Sequence, residues 1–229
     1  MNAAETSAAV VFELGPVAIS NTVLTTWGVM AVFAGLGLWR GMYPTGRLQN
    51  ALEAVVVSIE TAISEVLPVA QVRPVLPFIA SVWLFVLVAN LVGLIPELHS
   101  PTRDLSATAA LAVLVFASTH WFGIKQNGLR RYLQHYLMPS PVLLPFHLIS
   151  EITRTLALAI RLFGNIMSLE MAALLVLLIA GFLVPVPLLM LHVIEAVVQA
   201  YIFGMLALIY IAGALESHNG ETNPHEDAT

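Results

Sequence analysis

Arg161 lies in the stretch Leu156-Ala-Leu-Ala-Ile-Arg161-Leu-Phe-Gly-Asn165-Ile-Met-Ser-Leu-Glu170, and the apolar run continues from Met171 to Leu183. An arginine keeps its proton at any working pH, so it serves as a fixed positive charge and not as a proton carrier. Glu170 and, further on, His192 and Glu195 are of the types that bind and release protons. His192, Glu195 and Gln199 repeat at spacings of three and four among Leu, Val and Ile, which makes them one polar stripe on a helix. Such chains of Glu and His inside apolar helices are typical of proton relays. The chemistry these residues support is passage of an ion beside a fixed cation that attracts carboxylates and blocks direct transit.

Their spacing sets limits on who can meet whom. Glu151, Arg154 and Arg161 are separated by three and seven residues and share roughly one helical face. Glu170 falls nearly opposite Arg161 around the helix and about 13 Å further along. The two do not pair directly on a regular helix, so Arg161 needs a partner elsewhere. A charge at the centre of a membrane helix costs about 3 kcal/mol, so one that is kept faces a protein interior or an aqueous cavity. Arg161 is therefore taken as the centre of the chemistry, with a path expected from outside by His192, Glu195 and Glu170. Plainer readings compete. His192 and Glu195 can form a structural hydrogen bond, Gln199 can bridge helices, and Arg154 can snorkel to an interface. Asn90 reads as a helix-packing amide, and Gly164 beside Asn165 as a point of close helix approach.

The elements that must carry these groups are membrane helices. Of 229 residues, 59% are hydrophobic and 10% charged, with mean hydropathy +0.88, whereas soluble domains carry roughly 25% charged residues. An all-α polytopic membrane protein of one domain, residues 1–229, is expected, with about five membrane-embedded helices plus an amphipathic one. The chain has no cysteine, which excludes disulfides, thiol nucleophiles and iron-sulfur ligation. Net charge is −5, with acid unbalanced from Glu216 to Asp227, so nucleic acid is not an expected partner. Neither a P-loop, a nucleophile elbow nor metal-ligand spacing is found, so no cofactor or metal is expected. Met1 to Glu13 has no basic residue and does not resemble a signal or transit peptide.

Thr22 to Leu38 predicts a short apolar helix after an outer N-terminal segment, 1–21. Between Gly46 and Pro68, Glu53, Glu60 and Glu65 among Val, Ile and Ala predict an amphipathic helix with a solvated face. Phe78 to Ile95, bracketed by Pro74, Pro77 and Pro96, and Leu105 to Ile124 predict two spans. Lys125, Arg130 and Arg131 place the following loop in the cytoplasm, which puts the N-terminus outside. Arg103, in the outer link, is the exception to that charge rule. Phe146 to Ala180 is too long for a hydrocarbon core of about 30 Å. With Leu188 to about Leu215 it predicts a long inclined helical hairpin, 146–216, whose outer apex is Gly181-Phe-Leu-Val-Pro-Val-Pro187. The tail 219–229 is expected to be flexible and cytoplasmic.

Arg161-Leu-Phe-Gly-Asn165, with Glu170 nine residues past the arginine, resembles subunit a of the membrane sector of F-type ATP synthases. The second hairpin helix is similar too, through His192, the run Gln199-Ala-Tyr-Ile-Phe203, and Glu216-Ser-His218. Weaker matches are Asn90 to Pro96, Asp104 to Thr108 and Pro139 to Pro145. The family often has Ala-Gly before the glutamate, where this chain has Ser168-Leu169, and a proline where this chain has Thr155. The resemblance implies a stator in a bacterial inner (plasma) membrane, beside a ring of c subunits, with peripheral-stalk b subunits and the remaining synthase subunits as partners. It implies two offset half-channels that load and unload protons on ring carboxylates. Arg161 would separate them, and Glu170, His192, Glu195, Gln199 and Asn165 would line the ion pathway. Sodium as coupling ion, an independent secondary transporter, and a structural scaffold are the alternatives. The absence of an inverted repeat counts against the transporter.

Overall fold

A computed structural model describes residues 10–14, 17–42, 47–95, 100–128, 144–180 and 186–216. Among them the helices follow the apolar runs. α1 is Asn21–Met42, α2 Arg47–Val66, α3 Val69–Val92, α4 Leu105–Asn127, α5 Leu144–Ala180 and α6 Val186–Glu216. Four contain stretches long and apolar enough to cross a membrane: Val69–Val92, Leu105–Gln126, Ile149–Ile179 and Val186–Leu215. A shorter apolar stretch, Thr22–Gly35, lies in α1. The chain is thus an all-helical polytopic membrane protein, with one addition the sequence reading lacks. β1 (Val10–Leu14) and β2 (Val17–Ser20) form an antiparallel hairpin before α1, with Leu14 opposite Val17. Val10, Val11, Val17 and Ile19 are β-branched and favour strands, so the N-terminal segment carries a local element of its own. The hairpin apex 181–185, the loop 129–143 and the tail 217–229 lie outside the described residues.

α2 is amphipathic as its pattern predicts. Ile59, Ile63 and, just past its end, Leu67 are buried on one side, while Glu53, Glu60 and Glu65 are exposed. α3 starts at Val69, nine residues before the expected Phe78, and runs through Pro74 and Pro77. Proline breaks a helix by removing a donor and crowding the preceding turn. Pro74 and Pro77 lie past the first turn, so each leaves one helical carbonyl, of Ala70 and of Arg73, without its N–H donor, and the helix continues through both.

α4 is closed at both ends by local chemistry. The Asp104 carboxylate accepts from the Ser106 N–H at 2.9 Å, a standard N-cap. Gly128, at φ 75°, donates its N–H to the Ile124 carbonyl at 2.8 Å, and only glycine takes that conformation freely. α4 spans the molecule from a short 3-10 turn at one end, Pro101–Arg103, to Lys125 at the other.

The core joins α3, α4, α6 and one flank of α5. Ile79, Val86, Val115, Leu162, Phe203, Leu208 and Ile211 are all essentially inaccessible. α6 presents Ala196, Ala200, Gly204 and Ala212 as a stripe of small, buried residues, which lets a membrane helix approach its neighbour closely. At Gly204 the approach is closest: an added Cβ would lie 2.5 Å from the Trp83 ring of α3.

At 1.5 Å per residue the 37 residues of α5 extend about 55 Å, and the 31 of α6 about 46 Å. The two helices do not run as a tightly packed pair. α6 packs chiefly on α3 and α4, and α5 chiefly on α4. Of the apolar windows, 11% of α5 is buried against 50% of α6. α5 is therefore the peripheral helix, with one long flank uncovered.

Candidate ion pathway

The two long helices meet through a single described side-chain hydrogen bond. Asn165 Nδ2 on α5 donates to Gln199 Oε1 on α6 at 2.8 Å. Gln199 is 2% exposed, and its own Nε2 has no partner among the described residues. Both residues belong to the set expected from sequence, and the bond puts them at the crossing of the helices. Gly164, next to Asn165, does not mark that crossing. A Cβ there would meet nothing within 4 Å, which corrects the expectation of close approach at this glycine.

Glu170 faces a different element. Its carboxylate lies 3.0 Å from Arg103 Nε in the 3-10 turn between α3 and α4. The turn is held from behind. Ser100 Oγ donates to the Ala89 carbonyl at 2.7 Å, and Thr102 Oγ1 donates to Asn90 Oδ1 at 2.8 Å. Ser100, Thr102 and Asn90 are all buried, and Gly93 leaves Glu170 Oε1 3.8 Å from where a Cβ would be. The basic residue that fits poorly with the charge rule is thus the counter-ion of Glu170. Asn90 is a packing amide as expected, yet its Nδ2 is buried without a partner among the described residues.

On α6, His192 is 5% exposed and its Nε2 also has no described partner. Glu195 is half-buried one turn on. Buried amide and imidazole groups are nearly always satisfied by protein or water, so orphaned nitrogens at Asn90, His192 and Gln199 have the chemistry of groups that line a hydrated route. No hydrogen bond or ion pair joins His192 or Glu195 to α5 among the described residues. The line of facing groups expected across the hairpin is therefore narrower, with Asn165 and Gln199 hydrogen-bonded across it.

Arg161 stands near the midpoint of α5 and is exposed. It forms no ion pair with another described residue. Around it the same uncovered flank carries Ile149, Ile152, Leu156, Ile160, Leu174 and Leu178, all exposed. An always-charged group in the middle of a bare apolar flank of a spanning helix is unfavourable by about 3 kcal/mol unless something beyond the described residues supplies its partner.

A second polar cluster sits at the opposite end from Arg103. His120 Nε2 on α4 is 3.2 Å from Glu151 Oε2 on α5, and His120 Nδ1 is 2.9 Å from the Phe116 carbonyl. Beside it is a cavity of about 40 Å³ lined by Thr119, Thr155, Arg154 and Tyr210 among others. Arg154 Cζ lies 5.7 Å from the centre of the Tyr210 ring, a cation-π distance, so it has a partner within the chain beyond simple snorkelling. Sequence reasoning missed Arg103, His120 and Tyr210. Only Arg103 left a signal, as a basic residue on the wrong side.

A family model described as ATP synthase A chain matches residues 21–212. ATP synthase subunit a 2 of Pelobacter propionicus is 61% identical over 222 residues, 95% of this chain and 96% of that relative. ATP synthase subunit a 1 of Hahella chejuensis is 61% identical over 89% of this chain and 88% of its own length. ATP synthase subunit a of Legionella pneumophila is 56% identical, with 90% and 91% covered.

Proposed function

Because the chain belongs to the ATP synthase A chain family, subunit a of F-type ATP synthases, we propose that it is the ion-translocating stator of a rotary synthase. In this reading it forms two offset half-channels that load and unload protons on the carboxylates of a c-subunit ring. The observation that carries the reading is Arg161, exposed at mid-length on the uncovered apolar flank of α5. A ring carboxylate passing that flank is the partner Arg161 lacks. Beside the guanidinium the carboxylate is held ionised. Once protonated it is neutral and enters lipid at modest cost, whereas an ionised one does not.

The Arg103 end is assigned to the outside and the Lys125 end to the cytoplasm, following the basic residues. Glu170, His192, Glu195, Asn165 and Gln199 lie between the outer end and Arg161 and form the loading route. Membrane potential supplies about 2.3 kcal/mol per charge per 100 mV, and the offset of the two routes turns that energy into rotation. The b subunits and the rest of the synthase hold the stator against the ring.

ATP-driven acidification of vesicles containing the whole complex tests this. Arg161→Ala is expected to reduce protonophore-sensitive acidification to background. Normal pumping by that variant overturns the stator reading. Sodium uptake that persists with protonophore would keep the stator and change the coupling ion.

A further inference from the structure

The proposal above uses Glu170 but leaves Arg103 without a task. Arg103 has a rigid base and a free tip. Pro101 and Thr102 are buried, the Arg103 N–H donates to the Ser100 carbonyl at 3.1 Å, and the Ser100, Thr102 and Asn90 bonds pin the turn to α3. The side chain reaches from that base to Glu170, which is 16% exposed, and remains itself 37% exposed. A guanidinium so placed occupies the carboxylate that an arriving cation must reach.

Resting on the stator reading, we infer that Arg103 is a positioning residue for ion loading: its guanidinium holds Glu170 until an entering cation displaces it towards water. Among the described residues, the other titratable or charged groups near this end are few. Asp104 follows Arg103 and caps α4; His192 and Glu195 come from α6; α3 brings Asn90 and Gly93 but no charge. Arg103 is thus the permanent cation that competes for Glu170. Because its base is fixed, it returns to the same carboxylate each time the site empties, which limits passive leak and sets the cation level at which loading half-saturates.

The test uses proteoliposomes of the complete complex at a fixed potassium diffusion potential. ATP synthesis is followed while the outer-face cation is titrated, first protons without sodium and then sodium at constant pH. The quantity read is the half-saturating cation concentration. Removing the competitor in Arg103→Gln is expected to lower it about fivefold, the factor that goes with a partly exposed ion pair. Arg103→Lys keeps the charge but loses the fork and some reach, so a shift of about twofold in the same direction is expected. It carries the test if the Gln variant does not assemble. An unchanged or raised half-saturating concentration in an assembled variant overturns the inference. Failure of the stator reading shows separately, as coupled synthesis retained by Arg161→Ala.

Discussion

At the scale of single residues, the hydrogen bond from Asn165 to Gln199 is the clearest object to test, because it bonds a side chain of α5 directly to one of α6. Hydrogen bonds between membrane helices average about 0.6 kcal/mol by double-mutant cycles, since lone partners find other contacts. Asn165→Ala, Gln199→Ala and the double variant should therefore show a coupling of about that size in the denaturation of the purified complex. A coupling near zero means the two amides are hydrated independently and do not fix the crossing. Arg161 differs in kind: in the stator reading its partner is a ring carboxylate, so truncating it should leave the stability of the isolated subunit nearly unchanged while coupled pumping is lost. Its candidacy was legible from sequence because an arginine in an apolar run is unusual whatever surrounds it. The Arg103 partnership was not, because Arg103 and Glu170 are 67 positions apart and no local pattern joins them.

At the scale of elements, α6 is shaped by what its small residues permit. Gly204 lets the α6 backbone touch Trp83, which in turn stands edge-on to Tyr201 at 5.4 Å between ring centres. Gly204→Ala forces a methyl into the indole and should destabilise the subunit by about 1–3 kcal/mol, the range for overpacking. Gly213→Ala is the matched control on the same helix: a Cβ there meets nothing within 4 Å, and glycine within a helix costs about 0.5–1 kcal/mol relative to alanine. Thermal inactivation of the complex should fall to lower temperature in the first variant and hold or rise in the second. Equal losses in both would mean that the Trp83 contact is not what sets the cost at Gly204. The spans themselves were readable because apolar length alone defines them, and α2 because its glutamates keep one face. The start of α3 was misplaced because proline was weighed as a breaker, whereas α3 runs through both Pro74 and Pro77. The early β-hairpin was missed because its short β-branched runs lie beside a much stronger helical signal. The packing of α6 on α3 rests on residues such as Gly204, which reveals its partner Trp83 only in three dimensions.

At the scale of the whole molecule, the uneven covering of the two long helices is what needs a cause. A lone polytopic protein in lipid has no reason to leave an arginine on its barest flank, whereas a stator beside a rotor must keep that flank open. The exposed residues Leu156, Ile160, Leu174 and Leu178 cover both sides of Arg161 along α5, as a contact with a tall ring requires. The chain has no cysteine, so single cysteines at Leu156, Ile160 or Leu178 can be read without background. Labelling by a lipid-soluble maleimide should be fast in the isolated subunit and at least about tenfold slower in the assembled complex at Leu156 and Ile160, which flank the guanidinium. Equal rates in the two states would place this flank against lipid and remove the partner that Arg161 requires. Slow labelling in both would mean that other parts of the chain cover α5, contrary to its exposure. A drop confined to the Arg161 level, with Leu178→Cys still reactive, would instead describe a ring contact that ends well below the top of α5, leaving the upper turns free for the inclined geometry that 55 Å of helix, by about 1.5 Å per residue, imposes in a core of about 30 Å.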